Sequence, residues 1–356
     1  MSVSFGESMP EACSWFRLCG DCWRETVNNG MGRVVREGWG YAAALAGFFA
    51  RSGRAFSGPV SCAIEPTNVC NLRCPLCAAG AGLLTRPRGH LSPDNFERIV
   101  AALPKSVTTL YLWGQGEPFL APGFLDMVRI AARRGFRTVT STNGHFLDDP
   151  EGVAASGLGV LIVSLDGADA ESYSAYRIGG DFDRVVEGVR RVTEAVNRLG
   201  RGPVVELQCV LNRANEGDRA KFRTLASETG VHRLVFKTLQ AAFREGGEEY
   251  LPSDPKLSRY RKGRDGTLEP DRRRIVGDRC FRLYHSLQVD CRGNVVPCCF
   301  DKDSDHVLGN LLEEPFDAVW NGERSRAFRT LLNRWGRVAA MCRDCTEGLR
   351  RLTIHA

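Results

Sequence analysis

Six short apolar runs, each followed by a helical-looking segment, constrain this chain more than any other feature. The runs are SCAIEPT (61–67), TTLYLWG (108–114), RTVTSTN (137–143), GVLIVSLDG (159–167), VVELQCVLN (204–212) and HRLVFKTL (232–239). Between them lie stretches such as DFDRVVEGVRRVTEAVNRLG (181–200), which sets Val185, Val189, Val192, Val196 and Leu199 on one helical face. Repeated strand–helix alternation predicts an α/β fold with a parallel sheet and right-handed crossovers. Six units are too few for the closed eight-fold barrel, so the expected form is a partial (β/α)6 barrel with functional groups at the carboxyl ends of its strands.

The rhythm fixes the expected boundaries. Residues 58–240 form the α/β core, and 1–57 form a helical extension. Residues 241–279, rich in Gly, Pro and charge, read as a linker. Residues 280–356 lose the strand–helix rhythm and carry dense cysteines. A hairpin-like LQVDCRGNVVPCC comes first there, then the helix pattern EEPFDAVWNGERSRAFRTLL. They are expected to be a second, small, metal-stabilised domain.

The loop after the first run reads CNLRCPLC, placing Cys70, Cys74 and Cys77 three and two residues apart. Three thiolates can hold three irons of a cuboidal cluster and leave the fourth iron open. A zinc knuckle would want a fourth ligand within a few residues, and His90 is far for that role. The chain has 14 cysteines. A secreted disulfide protein fits poorly, because no signal sequence opens the chain and it is far larger than a stapled mini-domain. The expected setting is cytoplasmic and reducing, with cysteines that hold metal. Cys13, Cys19 and Cys22 include a Cys-x2-Cys pair without a second pair nearby, and read as plain thiols. The apolar stretch GYAAALAGFFA (40–50) is too short for a membrane span and is expected to pack on the core. Net charge is +6, and the densest basic stretch, 261–274, reads as a solvated loop; no RNA-binding signature accompanies it.

Other strand ends carry small and polar groups. GQGEP (114–118) offers Gly114 and Gly116 for close backbone approach and Glu117 as a carboxylate beside the cysteine loop. STNG (141–144) and SLDG (164–167) bring Ser141, Asn143 and Ser164 to successive ends of the same sheet. Glu65 and Lys237 either face a substrate or form structural ion pairs. Near the C-terminus, Cys280, Cys298, Cys342 and Cys345 make a closed four-thiolate site for a [4Fe–4S] cluster or zinc, with Cys291 and Cys299 left over.

With Cys-x3-Cys-x2-Cys in this place, the chain resembles the radical S-adenosylmethionine (SAM) enzymes. The resemblance implies a [4Fe–4S] cluster on Cys70, Cys74 and Cys77 whose open iron is chelated by SAM, and a 5′-deoxyadenosyl radical that takes a hydrogen atom from substrate. GQGEP is similar to the family's Gly-Gly-Glu-Pro motif, which holds the SAM amino group; Gln115 departs from it. Ser141, Asn143 and Ser164 then serve the SAM ribose and carboxylate. Cys280-x12-Gly293-x4-Cys298 with a final Cys-x2-Cys resembles the SPASM extension, which binds auxiliary clusters. Because no cysteine follows Cys345, one auxiliary [4Fe–4S] cluster is implied.

The leading expected function is oxidation or epimerisation at a C–H position of a sugar, aminocyclitol or other small molecule, with a flavodoxin- or ferredoxin-type electron donor. The catalytic residues proper are left open; where the reaction needs a hydrogen donor a thiol is suitable, and Cys209 and Cys299 are the candidates, although a strand cysteine such as Cys209 is more often simply buried. An alternative is maturation of a ribosomal peptide. A non-catalytic iron–sulfur or zinc scaffold would explain the cysteines but not the polar strand ends. Neither nucleic acid nor a membrane span is expected.

Overall fold

The computed structural model describes residues 31–240, 246–264, 266, 268–271, 278–343, 345 and 353–354. All six apolar runs form strands: β1 Ser61–Ile64, β2 Thr109–Tyr111, β3 Arg137–Thr142, β4 Val160–Ser164, β5 Val204–Leu211 and β6 Arg233–Thr238. They lie in chain order, every neighbouring pair parallel. Sequential order with a helix in each crossover is the expected α/β arrangement. The sheet stays open, since β1 and β6 each pair outward with another strand rather than with each other.

Alternation within β5 shows how the sheet is used. Val205 and Leu207 pack into the main core, and Cys209 and Leu211 meet Phe222 and Phe236 in a smaller cluster. Glu206 and Gln208 therefore point to the opposite face. The long crossover helix, α1 (Phe182–Leu199), buries Val185, Val189, Val192 and Val196 as its periodicity requires. Leu199 does not join them; in the last turn it is 39% exposed. Asp181 caps the start by accepting from the Arg184 amide, and Gly200 ends the helix at φ 60°, a conformation where Gly escapes the Cβ penalty.

Within the expected linker, β7 (Tyr260–Lys262) and β8 (Leu268–Pro270) form a small antiparallel ribbon. The C-terminal segment is joined to the core through the sheet. Its hairpin forms, from β9 (Ser286–Val289) and β10 (Asn294–Val296), yet β9 pairs in parallel with β1 and extends the core sheet. The hairpin is followed by β11 (Gly309–Asn310), and Thr353–Ile354, β12, closes the far edge antiparallel to β6. One ten-stranded sheet thus runs through both regions. The helix pattern after the hairpin splits in two, Phe316–Trp320 and Glu323–Trp335, at Asn321–Gly322.

The N-terminal extension supplies a helix, Met31–Phe49, that includes most of the apolar stretch at 40–50. Ala44 is fully buried, and Gly47 sits against the Tyr284 ring, where a Cβ would lie 3.2 Å from the nearest ring carbon. Cys13, Cys19 and Cys22 lie outside the described residues. Among the described residues, no helix is long and apolar enough to cross a membrane.

His285 joins this helix to the sheet. Its ring lies 5.4 Å from Tyr41 and 4.5 Å from Phe281, and its carbonyl accepts from the Val60 amide at 2.8 Å. Burial, with Arg282 nearby, pushes its pKa down from 6.5 to about 3. The neutral ring is therefore the folded form, and its stabilisation is complete above pH 6.5 and lost as pH falls from there toward 3. Between pH 6.5 and about 3 this group alone should lower stability by up to about 1.4 kcal/mol for each pH unit of acidification. His285→Phe, followed by urea unfolding at pH 7 and pH 4.5, should show a smaller loss between the two than the unsubstituted chain. Equal losses would mean that His285 does not govern this pH dependence.

Candidate functional site

The loop that carries Cys70, Cys74 and Cys77 leaves β1 and is closed at its base by short-range polar contacts. Thr67 Oγ1 donates to the Gly89 carbonyl at 2.8 Å, Asn68 Nδ2 to the Pro87 carbonyl at 3.0 Å, and the Gly89 amide to Asn68 Oδ1 at 2.8 Å. His90 stands at this base, bridged through its backbone to Thr67. Glu65 forms the structural ion pair: both its oxygens take Arg86 at 2.7 Å, and Oε2 also accepts from the Gln115 amide. Arg86 Nε donates to the Lys302 carbonyl, so the same pair ties the cysteine loop to the C-terminal segment.

GQGEP backs directly onto this loop. A Cβ on Gly116 would lie 2.5 Å from the carbonyl oxygens of Thr67 and Val69, and one on Gly114 would overlap Glu65. The two glycines are there because neither position has room for a side chain. Glu117, 2% exposed, accepts from the Phe119 amide (3.1 Å), the Thr142 hydroxyl (2.7 Å) and the Asn143 amide (2.7 Å). Burial raises its pKa, and these bonds pull against that shift. Asn143 donates to Asn71 Oδ1 at 2.7 Å and reaches Cys70 Sγ at 3.9 Å. Ser141 and Ser164 meet across β3 and β4, with Oγ atoms 3.3 Å apart. The expected residues thus assemble in one place. Glu117 and Asn143, however, have their polar atoms largely engaged by the protein and act first as a clamp between strand ends.

Sequence reasoning missed a buried ion pair beside the triplet. Arg177 donates Nε and Nη2 to Asp166 at 2.7 and 2.6 Å, and its Nη1 approaches Cys74 Sγ at 4.0 Å. Asp166 belongs to SLDG, and Arg177 sits eleven residues on, so the signal was within a noted motif but called for a partner across a loop. Glu206 and Gln208 were missed as well. They lie on the face opposite the helices with Ser164, which is in register with Gln208. Gln208 donates to Glu206 Oε1 at 3.2 Å, while buried Glu206 Oε2 has no hydrogen bond. Lys237 lies near enough to Glu206 for its charge to be felt there. Cys209 faces away, among Leu211, Phe222 and Phe236, and takes an Asn215 amide hydrogen. A strand side chain on the helix side cannot serve chemistry on the other face, so Cys209 is withdrawn as a hydrogen donor.

In the second cysteine group, burial raises the pKa of Cys298 and Cys342, and Cys280 lies near enough to add to both shifts, while the Cys345 amide donates to the Cys342 carbonyl at 3.3 Å. The Phe300 amide points at Cys298 Sγ (3.4 Å) and Arg282 Nη1 at Cys299 Sγ (3.6 Å). Cys291 stands apart, buried near Gly89 and Glu65. Both groups are suited to hold an iron–sulfur cluster. The thiols of each group sense each other. N–H groups aimed at sulfur, from Leu72 (3.5 Å) and Phe300, suit thiolates that carry iron.

Comparison with known proteins decides the family. The sequence model of the Radical SAM superfamily matches residues 64–222, and that of the SPASM iron–sulfur cluster-binding domain matches 280–346, together more than half of the chain. The chain belongs to the radical SAM superfamily, with a SPASM-type extension. It is a radical SAM enzyme, binding SAM and a [4Fe–4S] cluster in the core and auxiliary iron–sulfur in the extension. Mycofactocin maturase MftC of Mycobacterium tuberculosis is 28% identical over 314 residues, 82% of this chain and 77% of that one. AdoMet-dependent heme synthase of Methanosarcina barkeri is 26% identical over 303 residues, 75% and 83% of the two chains. In fold, the chain is similar to Streptococcus suis SuiB bound to SAM (TM-score 0.60, 15% identity, covering 83% of this chain and 73% of that one). It is also similar to anSMEcpe with bound AdoMet (TM-score 0.58, 18% identity, 83% and 90% covered).

The clamp role of Glu117 leads to a split prediction. Glu117→Gln keeps an acceptor for two of the three donors and should retain the first cluster while weakening SAM binding about tenfold, the effect of losing one charge-assisted hydrogen bond. Glu117→Ala releases both strand ends and should lower the iron content as well. Titration of SAM into each reconstituted variant, with iron assay, tests this; unchanged SAM affinity in Glu117→Gln would remove the carboxylate from SAM recognition.

Proposed function

We propose that this radical SAM enzyme matures a peptide, modifying one of its C–H positions. The observation that carries the reading is the similarity to mycofactocin maturases, which runs through both the core and the extension. It favours the peptide alternative over the sugar or aminocyclitol substrate expected first from the sequence. Residues 58–240 are proposed as the radical-forming core, 241–279 as its connection and 280–356 as the auxiliary-cluster unit.

In this reading Cys70, Cys74 and Cys77 hold the core cluster, and when bound, cluster and SAM supply a hydrogen-abstracting 5′-deoxyadenosyl radical. Gly114 and Gly116 let the GQGEP backbone press against the cysteine loop. Glu117 fixes the strand ends and offers its remaining acceptor capacity to the SAM amino group. Asn143, Ser141 and Ser164 face the ribose and carboxylate region. Arg177, pinned by Asp166, holds positive charge beside Cys74, where it favours a thiolate over a thiol. Glu206 Oε2 and Gln208 offer polar contacts to substrate on the same wall. Cys280, Cys298, Cys342 and Cys345 are proposed as the auxiliary ligands, filling all four iron corners, so that site exchanges electrons and does not bind substrate. A flavodoxin- or ferredoxin-type protein remains the proposed electron donor.

A second reading rests on the heme synthase similarity: a tetrapyrrole substrate whose side chain is modified. Incubating reconstituted enzyme with SAM, dithionite and, separately, a peptide encoded beside its gene or an iron coproporphyrin distinguishes the two. Mass change on the peptide is expected; product from the porphyrin alone would overturn the peptide reading. Replacing Cys342 and Cys345 by Ala should leave 5′-deoxyadenosine formation intact and stop product. Wild-type turnover by a folded double variant would remove the auxiliary site from the reaction.

A further inference from the structure

The helix Glu323–Trp335 is held to the body by its inner face and presents an organised outer one. Inside, Phe328 and Leu332 are buried, and buried Arg329 donates to the Leu283 carbonyl at 3.0 Å and stacks over Trp320 at 4.5 Å. Outside, two rows run at helical spacing: Ala327, Leu331 and Trp335 form an apolar ridge, and Arg326 and Arg334 flank it. Leu331 is 40% and Trp335 60% exposed. Gly53 is pressed against this helix, where a Cβ would lie 2.4 Å from Thr330 Oγ1, and its neighbour Arg54 completes the far wall. The result is an open groove of about 700 Å³ whose lining carries three arginines against one acid, Glu323.

The chain just beyond the groove leads to the segments that bear the auxiliary cysteines. Gly336, next to Trp335, packs against Asp278, where a Cβ would lie 3.5 Å from Asp278 Cβ, two residues before Cys280. Arg337 Nη1 donates to the Cys345 carbonyl at 2.9 Å, and the Cys342 amide donates to the Ala339 carbonyl at 2.8 Å. The residues that follow the groove's helix thus touch backbone at or near Cys280, Cys342 and Cys345.

We propose that this groove is the docking site of a small acidic electron-carrier protein that exchanges single electrons with the auxiliary site; the inference rests on the assignment of that site to Cys280, Cys298, Cys342 and Cys345. In the exchange the oxidised carrier gains one electron as the auxiliary site loses one, with no bond made or broken. Opposite charge steers such a partner, and a small patch of arginines around one aromatic anchor suits a contact that must form and release every turnover. Carboxylates on the carrier would pair with Arg54, Arg326 and Arg334, and an apolar side chain would seat on Leu331 and Trp335.

The test uses reconstituted full-length enzyme and a recombinant acidic flavodoxin. Titration calorimetry should give saturable binding that weakens steeply with added salt. Arg326→Glu with Arg334→Glu should weaken it at least tenfold, and Arg54→Glu, on the other wall, should weaken it severalfold. Arg190→Glu with Arg198→Glu, on the exposed face of α1, changes net charge equally and should leave affinity within twofold. Dithionite-driven 5′-deoxyadenosine formation should stay unchanged in every variant, since none touches the core site. Undiminished flavodoxin binding in the groove variants, or an equal loss in the control pair, would overturn the proposal. So would displacement of flavodoxin by an acidic synthetic peptide that binds the groove more tightly, which would assign the groove to peptide instead.

Discussion

The site depends on backbone approaching backbone where β2 ends. Gly116 lies where any Cβ would collide with the Thr67 and Val69 carbonyls, and the Glu117 amide donates to the Val69 carbonyl at 2.8 Å. That contact fixes the cysteine loop against the second strand end. Glu117 then carries the restraint to the third through Thr142 and Asn143, and Asn143 returns it to the loop through Asn71. Segments distant in sequence become one rigid frame around three thiols. Rigidity matters because a site that generates a reactive radical must orient substrate and exclude water.

A buried carboxylate at the centre of such a frame has a cost. Burial alone would push Glu117 toward its neutral form, and two amides and a hydroxyl oppose that. Arg177 and Asp166 solve the same problem beside Cys74 by pairing, and Glu65 with Arg86 do so at the loop base. Each pair also joins separate elements. Breaking one by removing a single partner would strand a charge in the interior, which is far more damaging than losing both.

Much of the fold was legible because its signals are local. Six apolar runs became six parallel strands, and the valine stripe of 185–196 became the buried face of a crossover helix. The cysteine triplet fell in the loop where a parallel sheet puts function. What could not be read was pairing across distance. The hairpin at 286–296 looked like part of a separate domain, because no local pattern says that β9 will add to β1. Nothing local in the sequence marks Arg177 as the partner of Asp166, eleven residues earlier. Cys209 is the buried strand cysteine of the two readings open to it, because one step along β5 decides which face a side chain takes, and Cys209 falls in phase with Leu211, not with Gln208.

The central claim is that two iron–sulfur sites coexist in one chain and that only the core site has a position open to SAM. Electron paramagnetic resonance of the dithionite-reduced, reconstituted enzyme tests it most directly. The account predicts two overlapping [4Fe–4S] signals, of which added SAM shifts one and leaves the other untouched, with the shifted signal lost when Cys70, Cys74 and Cys77 are replaced by Ala. A single signal, or two that both respond to SAM, would contradict it.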